Sequence, residues 1–367
     1  MEKQYIYIGI IILIIIIGFV IGTYSPKSTD EVKIGVVLPL TGAQNYLGEY
    51  HNNGVQLALD DYYNQSNHKN IKLLTEDSAG TPQQGLSSVN KLISADKVDY
   101  FFVSLTAVIS ATSATISSNK IPTIIVTPAV TLSSKNNYLY NFYFYLKDYG
   151  TRMGEQLTKE DINNVAIYVY NIDSADDFID SFQNSYSNNI VSVDKLNVAQ
   201  MDFKTEIIKA KTSNANTILF INFANPTIIF LNQMIELDVN IPVYILDGNY
   251  DTIKSGAKDS LTKLDVHSGW LILVPDKYDS FVAGYKAKYN KSPEPSAAYT
   301  YNSMKIMLEV IDKCGKDKVC FNNEIMTTTF VGGVVKDSIT FDENRNAIIG
   351  SDLIQYDGNK QEWVKLE

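Results

Sequence analysis

Apolar and polar positions alternate along this chain in blocks that change period. Val32–Leu38 (VKIGVVL) is a near-continuous apolar run between the polar linker Ser25–Glu31 and the turn Pro39-Leu40-Thr41-Gly42. Such a run predicts a strand buried on both faces. Gly48–Asn53 leads into a stretch where Val55, Ala58 and Tyr62 fall on one helical face. Ile71–Leu74 and Tyr100–Ser104 predict further strands, and Pro82–Ala95 a helix with Thr81 as its cap. A helix over Ala107–Ser118 follows Thr106. Next comes Ile121–Thr131 (IPTIIVTPAVT), whose β-branched centre predicts a strand. Pro128 ends that strand because it has no N–H for a ladder.

A second series follows. Strands are predicted over Val165–Tyr170, Ile190–Val193, Thr217–Asn222, Pro242–Leu246 and Leu271–Pro275. Helices are predicted over Thr151–Glu160, Asp176–Tyr186, Phe203–Thr212, Pro226–Leu237, Ser280–Tyr289 and Tyr299–Lys313, before a β-rich tail, Ile339–Glu367. Alternating strands and helices imply α/β architecture, each unit a parallel sheet flanked by helices. At 367 residues, two domains are expected.

Tyr5–Gly22 is almost wholly apolar and carries no charge. About 18 such residues reach the lower edge of a membrane span, and Lys3 keeps the start cytoplasmic. An uncleaved anchor is expected, with a cleaved secretion signal as the alternative. Either places the remaining chain outside the cytoplasm. There the two cysteines, Cys314 and Cys320, are expected to form a disulfide rather than a metal site or free thiols.

Composition narrows the function. The chain is 45% hydrophobic and 20% charged, with net charge −10 and pI near 4.9. The absence of a Lys/Arg cluster argues against nucleic acid. Only three histidines are present, and no HExxH, Walker, GxGxxG or GxSxG motif. No enzyme, cofactor or metal site is expected.

Four stretches then carry a resemblance: KIGVVLPLTGAQNYLGEYHNNGVQLALDD, NKIPTIIVTPAVT, NVAIYVYN and GGVVKDSITFDENRN. In this order they resemble the leucine-binding family of type I periplasmic binding proteins, which serve branched-chain amino-acid ABC transporters. The resemblance implies two lobes joined by three hinge crossovers, near Leu146, Pro275 and Val331. Lobe one would hold 32–146 plus 276–330 and lobe two 147–275 plus 331–367, after an N-terminal segment, 1–31. It implies an amino acid or similar small polar ligand delivered to an ABC permease. A ligand-sensing ectodomain working through a partner membrane protein is the alternative.

Site residues follow from the same resemblance. Thr106, with the neighbouring Ala107 N–H, falls where the ligand carboxylate is held, which suits a helix N-terminus. The Ala129 carbonyl falls at the ammonium, Thr131 where a hydroxyl and N–H serve both charged groups, Asp247 where an acid pairs with the ammonium, and Leu47 against the apolar part. Where leucine binders place aromatics on lobe two, this chain has Ser174 and Ala224, beside Asn225. That implies a roomier and more polar pocket.

Overall fold

The computed structural model describes residues 31–65, 68–172, 174–246, 250–270, 275–349 and 352–365. Tyr5–Gly22 and Asp247 lie outside these. Among the described residues no helix is long and apolar enough to cross a membrane.

The first sheet contains β1 (Val32–Leu38), β2 (Ile71–Asp77), β3 (Tyr100–Ser104), β4 (Thr123–Val126) and β5 (Leu139–Asn141). All pair in parallel, in the order β2-β1-β3-β4-β5. The two-residue period of a strand divides their side chains between two cores. Ile34, Val36, Tyr100 and Phe102 pack with helices Asn45–Tyr63, Pro275–Tyr289 and Pro295–Cys314. Val37, Phe101 and Val103 point the other way, toward helices Pro82–Lys91 and Thr106–Ser118. Helix Pro82–Lys91 starts where expected, its first free N–H groups served by the Thr81 hydroxyl, which accepts from the Gln84 N–H at 3.3 Å.

The second sheet contains β6 (Val165–Tyr170), β7 (Ile190–Leu196), β8 (Thr217–Ile221), β9 (Val243–Ile245) and β10 (Val266–Trp270). After the short antiparallel pair β11 (Phe330–Val331) and β12 (Ser338–Ile339), it gains β13 (Asp352–Asp357) and β14 (Glu362–Lys365). Its order is β14-β13-β10-β9-β8-β6-β7. Again one set of side chains (Tyr168, Ile218, Phe220, Ile245) faces one core and the alternate set (Ile167, Val169, Leu219, Tyr244) the other.

Three expectations change. The second sheet is mixed, because β13 runs antiparallel to both β10 and β14. The strand expected at Leu271–Pro275 falls mostly on residues 271–274, which lie outside the described set; the described strand in this region is β10, and Pro275 opens a helix. The return to the second sheet comes at β13 rather than near Val331. Before that, Val334, Val335, Ile339, Phe341, Ala347 and Ile349 stay packed in the core of the first sheet.

Two helices packed on the first sheet lie in backbone contact. A Cβ on Gly54 would fall 2.3 Å from the Ala297 carbonyl oxygen and 2.2 Å from Thr300 Oγ1. Only glycine allows that approach. At the start of the same helix, a Cβ on Gly48 would meet the Pro39 carbonyl at 2.1 Å, so the helix is seated directly on the turn leaving β1.

Cys314 and Cys320 are disulfide-bonded, with Cα atoms 5.5 Å apart. The bridge ties the end of helix Pro295–Cys314 to helix Lys318–Thr327. The latter is capped by the Asp317 carboxylate, which accepts from the Val319 and Cys320 N–H groups. A loop this short restricts the unfolded chain modestly, so reduction should cost about 2 kcal/mol. Urea unfolding with and without reductant measures it; unchanged midpoints would show that the bridge leaves stability untouched.

Candidate functional site

The strands of both sheets deliver their carboxyl ends to one cavity of about 400 Å³. Residues just beyond β3 (Leu105, Thr106, Ala107) and β4 (Pro128) form one wall. Residues beyond β6 (Asn171, Ile172), β8 (Asn222, Phe223) and β9 (Leu246), with Val198, form the facing wall. Tyr143 and Phe144, between the two sheets in sequence, close one side. Gln44, Tyr46, Leu47 and His51, with Pro295 and Ser296 from the adjoining helix, close another. Ligands of open α/β sheets bind at such strand ends, and the volume is that of a small-molecule site.

One part of this wall suits an anion. Helix Thr106–Ser118 begins at the cavity, and its first backbone bond runs from the Ile109 N–H to the Leu105 carbonyl. Leu105 makes no side-chain cap. The amides of the first turn are therefore outside the helical ladder, and the helix dipole favours negative charge there. Leu105 itself has φ 73°, a conformation that costs a residue with a side chain of order 1–3 kcal/mol. The Thr106 and Thr127 hydroxyls share a 2.7 Å hydrogen bond, which ties the helix start to the end of β4.

The loop after β4 is held by Asn141, fully buried on β5. Its amide nitrogen donates to the Thr127 and Ala129 carbonyls at 3.0 and 3.3 Å, and its oxygen accepts from the Thr127 N–H at 3.3 Å. Asn346 joins the network, accepting from the Ser133 hydroxyl at 2.7 Å and donating to the Val130 carbonyl at 3.3 Å. These bonds satisfy backbone groups around Pro128, which interrupts the ladder.

The described lining is uncharged and rich in aromatic rings. Tyr143 and Phe144 lie 4.3 Å apart between ring centroids, and Tyr170 and Phe223 4.8 Å. His51 is 2% exposed, and neither ring nitrogen has a hydrogen-bond partner among the described residues. Burial pushes its pKa down to about 4, so it is neutral at pH 7.

Of the residues singled out in the sequence, Leu47, Thr106 and Ala107 line the cavity. Ala129, buried, and Thr131, exposed, follow the lining Pro128 without joining the wall. Ser174 is buried at the start of helix Ala175–Ser185, and Ala224 and Asn225 open helix Ala224–Glu236; none of the three lines the cavity. Asp247 lies outside the described residues, next in sequence to the lining Leu246. The facing wall is therefore not stripped of aromatics as expected: Tyr170 and Phe223 supply them from the strand ends, a few residues before Ser174 and Ala224. His51 was detectable in the sequence, because it extends the stripe Val55, Ala58 and Tyr62 by one turn.

Comparison with known proteins places this architecture. A family profile described as periplasmic binding protein matches residues 31–361. The Leu/Ile/Val-binding protein BraC3 of Rhizobium johnstonii is 33% identical over 72 residues, a stretch spanning 19% of this chain and 20% of that protein. The structure of the branched-chain amino acid transporter substrate-binding protein LivJ from Streptococcus pneumoniae, in complex with isoleucine, superposes with a TM-score of 0.77. It is 21% identical, over 92% of this chain and 100% of that one. A solute-binding protein of an ABC transporter from R. palustris, in complex with benzoate, gives a TM-score of 0.79 at 15% identity, over 92% and 95% of the two chains. At these identities the solved structures show the fold, and the family profile shows kinship. This chain is a solute-binding protein rather than an enzyme, and its family places it outside the cytoplasm: it belongs to the periplasmic binding protein family, leucine-binding type.

Proposed function

We propose that the protein captures a small carboxylate-bearing solute, first among them an amino acid, and hands it to an ABC permease while tethered to the membrane by Tyr5–Gly22. The observation that carries this reading is the unladdered first turn of helix Thr106–Ser118, opening into a cavity whose described lining has no charge. The Thr106 hydroxyl and the Thr106 and Ala107 amides take the carboxylate. Leu47 touches the apolar body. Asp247 neutralises an ammonium from the opposite lobe.

A second reading, an aromatic carboxylate lacking the ammonium, is favoured by the rings of Tyr46, Tyr143, Phe144, Tyr170 and Phe223 around the cavity. Mass spectrometry of small molecules released from the natively purified full chain separates the two. An amino acid supports the first and a benzoate-like acid the second; a sugar or nucleobase overturns both.

A further inference from the structure

The cavity wall contains two polar groups that the protein leaves unsatisfied. His51 and Ser296 are both more than nine-tenths buried, and both line the cavity. Neither His51 ring nitrogen nor the Ser296 hydroxyl has a hydrogen-bond partner among the described residues. They belong to one patch: Gly54, a turn after His51, touches Ala297, the neighbour of Ser296. Buried polar groups without partners cost stability, and natural proteins keep few of them. Two of them sit on side chains that line one cavity wall, with the polar atoms themselves shielded from solvent, so a ligand group would reach them after a side-chain turn.

Their chemistry selects that group. A neutral imidazole offers one donor and one acceptor, and a serine hydroxyl can do either. The matching ligand group both gives and accepts hydrogen bonds. No charge in the described lining stands ready to pair with a second ionic end. The carboxylate end belongs to the helix start at Thr106, which comes from a different element.

We infer that His51 and Ser296 determine specificity by hydrogen-bonding a neutral hydroxyl on the part of the ligand remote from its carboxylate. This rests on the carboxylate-binding reading above and narrows it: the substrate class is a hydroxylated small acid rather than a purely hydrocarbon one such as leucine or benzoate.

Matched probes test it. The full chain in mild detergent is titrated calorimetrically with valine and threonine, phenylalanine and tyrosine, and benzoate and 4-hydroxybenzoate. In at least one pair the hydroxylated member should bind about tenfold tighter or better, because a site with buried polar groups rejects the analogue that leaves them unpaired. His51→Leu and Ser296→Ala should each reduce that preference to about threefold or less. Thermal melts check folding, and Ser296→Ala, the smaller change, keeps the test valid if His51→Leu is unstable. Plain members binding as tightly as their hydroxylated partners would overturn this inference and leave the carboxylate reading standing. A preference unchanged in both variants would do the same. If none of the six probes binds, the carboxylate reading fails and this inference falls with it.

Discussion

Asp247→Asn is expected to weaken binding of an amino-acid ligand by roughly 30- to 5,000-fold. Removing one partner of a desolvated charge pair costs about 2–5 kcal/mol, at 1.4 kcal/mol per decade. The substitution keeps the shape and removes the charge, so the ammonium loses its counter-charge in a cavity whose described walls offer no replacement. A ligand without an ammonium has nothing to lose, so binding of a benzoate-type acid should stay within about twofold. Calorimetric titration of both ligand types into parent and variant, with melts as a folding control, makes the comparison. An amino acid bound by the variant as tightly as by the parent would place the ammonium site elsewhere.

Acid should destabilise the ligand-free protein through His51. Burial holds the folded-state pKa near 4, against an ordinary value of 6.5. Between these values the unfolded chain binds more protons than the folded one, so stability falls as pH drops. The loss begins near pH 6.5, levels off near pH 4 and amounts to about 3 kcal/mol. Carboxylates with lowered pKa, such as Asp265, which accepts a hydrogen bond from His267, act mainly below this window. Asp148 and Asp177, raised by burial, work in the opposite sense. His51→Gln isolates the histidine. Urea unfolding at a series of pH values should show the parent losing about 3 kcal/mol more than the variant on acidification; parallel pH curves would mean that His51 titrates as an exposed histidine does.

The sequence made the frame legible where burial is continuous. β1, β3 and β6 were bounded correctly because strands covered on both faces leave unbroken apolar runs. β10 was missed because its sequence, VHSGW, carries His267, Ser268 and Gly269 and offers no such run, although Val266 and Ser268 are fully buried. β5 was missed because three residues ending in Asn141 give no period to read; Asn141 is buried through bonds to the loop after β4, which its own neighbours in sequence do not show. The place of Thr106 at the cavity was legible, because strand, turn and helix start are local signals. Tyr170, Phe223 and Ser296 were not. They come to one cavity only when strand ends of the second sheet face the start of helix Pro295–Cys314, and nothing in their own neighbourhoods marks them.

Gly54 fixes the distance between the helices that carry His51 and Ser296, and it does so without touching the cavity. Spacing and recognition are thus assigned to different positions. In evolutionary terms the two can drift apart: residues 51 and 296 can be exchanged while the separation of their backbones is preserved by a glycine that tolerates almost nothing else. A frame organised in this way is ready-made for changing ligands, by natural divergence or by a mutagenesis library restricted to those two wall positions with residue 54 left constant.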